Sequence, residues 1–181
     1  EEFRRVCGGK LGEDVLDAYL ISGGSPIACA ELAENRRLPE YVVELSRDWI
    51  TGEFAAGGRS RSSLLGVLEC LYRYAGTPVG QAKLAREAGL ANNSVAAGYV
   101  DLLTDLTCVA PSLAWDASRR APSRRRPCKF HMTNLLAAVS WHPSRIRSLD
   151  DYRRLDARDQ AGLLEWPLAQ EAWRRAAVRG A

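Results

Sequence analysis

The stretch Gln81-Ala82-Lys83-Leu84-Ala85-Arg86-Glu87-Ala88-Gly89-Leu90, followed by Asn92-Asn93-Ser94-Val95, constrains this chain more than any other. Two short helices that cross steeply must touch through a small residue, and Ala85 is placed to be that residue. The link between them needs a positive φ, which Gly89 adopts without a Cβ penalty. Leu84, Ala88, Leu90 and Val95 would bury the joint. Upstream, Gly76-Thr77-Pro78 breaks the chain, with Thr77 as N-cap and Pro78 as first residue of the leading helix. Asn92 or Asn93 caps the second helix, over residues 94–106, with Val95, Tyr99, Leu102 and Leu103 turned inward. The pattern predicts a helix-turn-helix; a plain helical hairpin is the simpler alternative.

Beyond the second helix the chain turns to strands. Thr107-Cys108-Val109-Ala110 and Lys129-Phe130-His131-Met132 are both β-prone. Two strands after the second helix make a winged helix-turn-helix. The tip between them, residues 113–128, is polar, contains Pro122 and Pro127, and is too long for a tight turn, which predicts mobility. It carries Arg119, Arg120, Arg124, Arg125 and Arg126, opposed only by Asp116.

The flanks read as helices. Val15, Leu16, Tyr19 and Leu20 have helical spacing, and Ser22-Gly23-Gly24-Ser25-Pro26 ends that run. A short helix comes next, over residues 27–35. After Pro39, residues Tyr41, Val42, Leu45, Trp49 and Ile50 form one apolar stripe, extended by Phe54 and stopped by Gly57-Gly58. Leu64, Leu65, Val67, Leu68, Leu71 and Tyr72 make a dense helical face. Near the end, Leu135, Leu136 and Val139 precede a break at Trp141-His142-Pro143. A short helix is predicted over residues 150–155. From Asp159 the chain runs Leu163, Leu164, Leu168, Ala172, Trp173, Ala176 as an amphipathic helix that Pro167 starts or kinks. The predicted fold is therefore mostly α: a helical segment (1–58), a winged helix-turn-helix with a small β-wing (59–134), and a helical start of a further domain (135–181).

Composition excludes several classes. Among 181 residues, 46% are hydrophobic and 26% charged, enough for an ordinary packed core. No run of about 18 apolar residues occurs, so no transmembrane helix and no membrane partner is expected, and a cytoplasmic location is. The five cysteines are odd in number and lack a Cys-x-x-Cys pair. They are read as reduced core residues rather than as disulfides or a zinc site. Cys128 and His131 have ligand-like spacing, but only His142 and scattered cysteines could complete a set; no metal site is assigned. Glu165 and Glu171 lie on different sides of a helix and do not pair as catalytic carboxylates.

The order of these features resembles the C-terminal half of a family of predicted bacterial and archaeal AAA+ ATPases. In that family the ATPase module is followed by a winged-helix region and an uncharacterised domain of PD-(D/E)XK nuclease-like fold. Four stretches carry the resemblance. Residues 19–26, Tyr19-Leu20-Ile21-Ser22-Gly23-Gly24-Ser25-Pro26, are similar to the Gly-Gly-aromatic-Pro turn after the ATPase lid, with Ser25 at the aromatic position. Lys83 to Leu90, continuing through Val95 and Tyr99 to Leu103, is similar to the family's helix-turn-helix. Lys129-Phe130-His131-Met132-Thr133-Asn134-Leu135 resembles its Lys-strand-Asp-x-Gly-Leu stretch, with Asn134 near the Asp and no glycine. Gly162-Leu163-Leu164-Glu165 followed by Glu171 is similar to the opening of the terminal domain, from which Pro167 departs.

The resemblance implies a piece of a longer chain, in keeping with the start at Glu1. It implies no cofactor for these residues, with ATP and Mg belonging to an ATPase module elsewhere, because no Gly-x4-Gly-Lys-Ser/Thr loop is present here. It favours a non-catalytic region that joins that module in cis to a C-terminal domain or a protein partner. The alternative is a DNA-binding winged helix contacting phosphates through Arg119, Arg120, Arg124, Arg125 and Arg126, with Asn92 and Asn93 at the start of the second helix. That helix contains no Lys or Arg, which favours the joining role; the five arginines favour DNA.

Overall fold

The computed structural model describes residues 2–123 and 126–178. In chain order the helices are α1 (Glu2–Leu11), α2 (Val15–Ser22), α3 (Pro26–Asn35), α4 (Glu40–Ala56), α5 (Arg61–Arg73), α6 (Gln81–Glu87) and α7 (Asn93–Asp105). Four strands come next: β1 (Val109–Ser112), β2 (Ala114–Asp116), β3 (Ala121–Ser123) and β4 (Lys129–Met132). The chain returns to helix in α8 (Leu135–Trp141), α9 (Leu149–Arg153) and α10 (Ala157–Val178). The protein is thus mostly helical with a small antiparallel strand part. It packs as two units, one formed by the residues up to Trp49 together with those from Asn134 onward, the other by Ile50–Thr133.

In the first unit α2 is the centre. It packs against α1, α3, α8 and α9, and Ala18, Leu20 and Ile21 have no exposed surface. A helix enclosed on several sides needs apolar residues around much of its circumference rather than along one stripe. Its end follows from Gly23, at φ 62°, and from Pro26 at the first position of α3. At its start, Arg153 of α9 donates to Asp14 (2.6 Å) and Asp17 (2.8 Å), and Arg36 also pairs with Asp14. These bridges hold the Asp14 carboxyl below its ordinary range, Arg153 contributing most.

The second unit is built around α5, α6 and α7. Their buried residues include Leu64, Val67, Leu68, Leu84, Ala85, Ala96, Tyr99 and Leu103. α5 approaches the end of α6 through Gly66, where a Cβ would lie 2.7 Å from the Ala88 carbonyl oxygen. Helix α6 closes as a Schellman motif: Leu90 N donates to Ala85 O (2.8 Å) and Gly89 N to Arg86 O (3.3 Å), with Gly89 at φ 66°. The small Ala85 and the positive φ of Gly89 are where the sequence places them. β1 and β4 then pair antiparallel, with Val109 opposite Met132 and Ser112 opposite Lys129.

Several expectations are corrected. Thr77 and Pro78 do not open α6; Gly80 is its N-cap. Val79 is instead exchanged with Cys128 in a two-bond bridge, Val79 N to Cys128 O (2.9 Å) and Cys128 N to Val79 O (3.2 Å), and extended backbone there cannot begin a helix. In α4 the buried residues are Val42, Val43, Ile50 and Phe54, whereas Tyr41, Leu45 and Trp49 are exposed. The apolar arc of α4 is wider than one contact face, so packing selects part of it. In α7, Ala96 and Val100 join Tyr99 and Leu103 inside, while Val95 and Leu102 are half-buried. In α10, Leu163 and Trp166 are buried but Leu164, Leu168 and Trp173 are exposed. The helix begins at Ala157 and continues through Pro167, which cannot donate to the preceding turn. Part of the tip expected to be mobile forms its own ribbon, β2 pairing antiparallel with β3.

Candidate nucleic-acid interface

The β2–β3 ribbon positions the cations of the tip. Ala114 lies opposite Ser123, Trp115 opposite Pro122 and Asp116 opposite Ala121. Alternation places Trp115 and Pro122 on one face, and both are exposed. Residues 117–120 make the turn. Asp116 closes it as an Asx turn, accepting from Ser118 N (3.0 Å), Ser118 Oγ (2.6 Å) and Arg119 N (3.2 Å). These bonds, that from Ser118 Oγ first, hold its carboxyl below the ordinary range. Arg119 and Arg120 come next in the turn with exposed side chains, Arg120 at φ 49°. Arg126 is exposed two residues before the Val79–Cys128 bridge. Arg124 and Arg125 lie outside the described residues.

Helix α7 offers a different surface. Asn92 is its N-cap, its Oδ1 accepting from Val95 N at 3.0 Å, so that oxygen is committed to the helix end. Asn93 and Ser94 are exposed in the first turn, and Asp101 and Asp105 are exposed farther along. The structure therefore keeps Asn92 and Asn93 at one helix start, while Arg119, Arg120 and Arg126 belong to the strand region.

Two further residues bear on these surfaces and were not assigned a role from sequence. Trp115, 61% exposed, is the middle residue of β2, in the ribbon whose turn carries Arg119 and Arg120; an isolated Trp within a polar tip was its only signal. Arg59, in the joint between α4 and α5, lies against α7. Its guanidinium carbon is 5.3 Å from the Tyr99 ring centroid. Gly98 makes that approach open, since a Cβ there would fall 2.7 Å from Arg59 Nη2. The Tyr99 hydroxyl accepts from Ser60 N (2.9 Å) and lies 3.2 Å from Ser60 O, to which it donates, and this fixes the joint. Nothing local announces this cation, because it reaches α7 only through the fold.

Charge divides between the units. Ile50–Thr133 contains 11 Lys/Arg and 6 Asp/Glu, a net +5; the remaining residues contain 14 and 16, a net −2. The carboxylate Glu171 of α10 is tied to Arg174 (2.9 Å) and Arg175 (2.7 Å), which hold it down to about 2. Among the described residues no group of three or more His, Cys, Asp and Glu could hold a metal ion, and no helix is long and apolar enough to cross a membrane. Comparison of the chain with family models, with curated proteins and with solved structures gave no match.

Proposed function

We propose that the Ile50–Thr133 unit is a non-catalytic winged-helix module that binds the phosphate backbone of nucleic acid through its β2–β3 ribbon. The observation that carries this reading is the exposed pair Arg119 and Arg120 in the ribbon turn, whose neighbouring acid, Asp116, is engaged by the turn itself. The net +5 of the unit supports it. Order of elements supports the winged-helix assignment: three helices, then the β1–β4 pair, with Val79 adding a short third strand-like bridge beside β4. Helix α7, with Asp101 and Asp105 exposed and no cation of its own, contributes little to phosphate binding.

Binding of this kind is electrostatic. With Arg119, Arg120, Arg124, Arg125 and Arg126 on phosphates, log affinity for duplex DNA falls against log salt with a slope of about −4 to −5. Replacing Arg119 and Arg120 by Ala lowers that slope by about 2, and replacing Arg124, Arg125 and Arg126 lowers it by about 3, with all sequences weakened alike. Fluorescence anisotropy across a salt series measures both. No shift of the wild-type chain with any nucleic acid at low salt overturns the reading.

A second reading rests on the neutral-to-acidic surface of α7. The module then joins an AAA+ ATPase to a C-terminal domain or a protein partner, as the resemblance implies. ATP and Mg belong in that case to the ATPase module. Retention of that module by the 181-residue chain, at a salt concentration that abolishes nucleic-acid binding, supports this role.

A further inference from the structure

We infer that the exposed face of the β2–β3 ribbon takes single-stranded nucleic acid, with Trp115 stacking on an unpaired base while Arg119 and Arg120 hold the adjoining phosphates. The inference rests on the proposed role of the ribbon in nucleic-acid binding and names the form of ligand.

Trp115 is 61% exposed although it sits in a strand whose other two residues are half-buried. Its cross-strand neighbour is Pro122, also exposed, so the ribbon presents an apolar plate to solvent. The plate is bordered by the turn that carries Arg119 and Arg120. An aromatic ring beside cations matches the two chemical faces of a single strand, the base and the phosphate. A duplex offers no free base face to such a ring unless a step is opened and its stacking lost. A protein partner would have to supply an apolar group for the plate and carboxylates for the arginines at matching spacing, whereas a single strand carries a base and a phosphate in every nucleotide.

The test uses the full chain. Anisotropy is measured with a labelled oligothymidylate of about 12 nucleotides, and with a duplex of equal length, at low salt. Wild type is expected to prefer the single strand and to show quenching of tryptophan fluorescence that Trp115→Ala abolishes. Trp115→Ala should weaken oligothymidylate binding about 5- to 150-fold, leave its salt slope unchanged, and alter duplex binding less than about twofold. Trp115→Phe should retain most of the single-strand affinity. If Trp115→Ala binds the oligothymidylate as wild type does, the inference falls while the phosphate-binding role stands. The same holds if single-strand and duplex binding fall together and Trp115→Phe does not restore the preference. Absence of wild-type binding to both probes overturns the phosphate-binding role and the inference with it.

Discussion

His142 shows how a single side chain takes its properties from its surroundings. It comes directly after α8, is 5% exposed, and its Nδ1 accepts from Ser144 N at 3.2 Å. That bond requires an unprotonated Nδ1, which puts the ring proton on Nε2. Burial pushes its pKa below 6.5, and Asp159 and Asp156 oppose the shift only in part. The unfolded chain therefore takes up a proton at this position near pH 6.5 that the folded chain resists. Stability from this group is fully present above that pH and is lost as pH falls from there through the lower folded-state pKa. Chemical denaturation at pH 7.5 and pH 5.5 should show a lower midpoint at the acid pH. His142→Gln should reduce the difference between the two. Cys108 behaves in the opposite direction: it is 1% exposed, and burial pushes its thiol up to about 12. Its place in the apolar run after α7 already marks it as a core cysteine.

At the scale of elements, the start of α7 agrees with the sequence: of the two candidates Asn92 and Asn93, Asn92 is the cap, accepting from the backbone N–H three residues on. Asn134 and Ser148 cap α8 and α9 in the same way, two caps not predicted from sequence. A cap is a local hydrogen bond and needs nothing from elsewhere in the chain. The end of α7 breaks that ease. It closes as a Schellman motif, with Cys108 N on Leu103 O (2.8 Å) and Thr107 N on Thr104 O (2.9 Å). Here the left-handed position is held by Thr107, at φ 55°, a β-branched residue for which this conformation costs about 1–2 kcal/mol. Its carbonyl accepts from Thr133 Oγ1 at 2.6 Å, a contact that any residue at position 107 can keep. Thr107→Gly should therefore stabilise the Ile50–Thr133 unit by up to about 1 kcal/mol, after the larger unfolded-state entropy of glycine is set against the relief. The shift of its denaturation midpoint measures this. The reverse holds at Thr77 and Pro78, where a plausible local cap loses to a bridge with Cys128, 49 residues away in the chain from Val79.

For the whole molecule, the two units differ in how the chain builds them. Ile50–Thr133 is continuous, and its core runs from Ile50 and Phe54 through Leu64, Val67, Leu84, Tyr99 and Leu103 to Val109, Phe130 and Met132. A continuous stretch with its own core is expected to fold alone. Residues 50–133, expressed separately, should unfold cooperatively and give a far-UV circular dichroism spectrum dominated by helix. Residues 1–49 should not, because the surface of α2 is covered by α8 and α9 from the far end of the chain.

By itself the sequence determined the helical character of the chain, the α6–α7 turn at Gly89, a cap at Asn92 or Asn93 and the strand tendency of residues 107–110 and 129–132, the first of which the fold shifts to 109–112. Each of these depends on periodicity or on the φ and hydrogen-bonding capacity of a few neighbouring residues. It also marked the arginines of the tip. Tertiary structure alone decided which half of the apolar arc of α4 is buried, that Val79 pairs with Cys128, that Arg59 lies over Tyr99, and that Trp115 shares an exposed face with Pro122. These are contacts between residues distant in the chain, or choices among equally apolar surfaces. Local propensity is indifferent to both, so only packing resolves them.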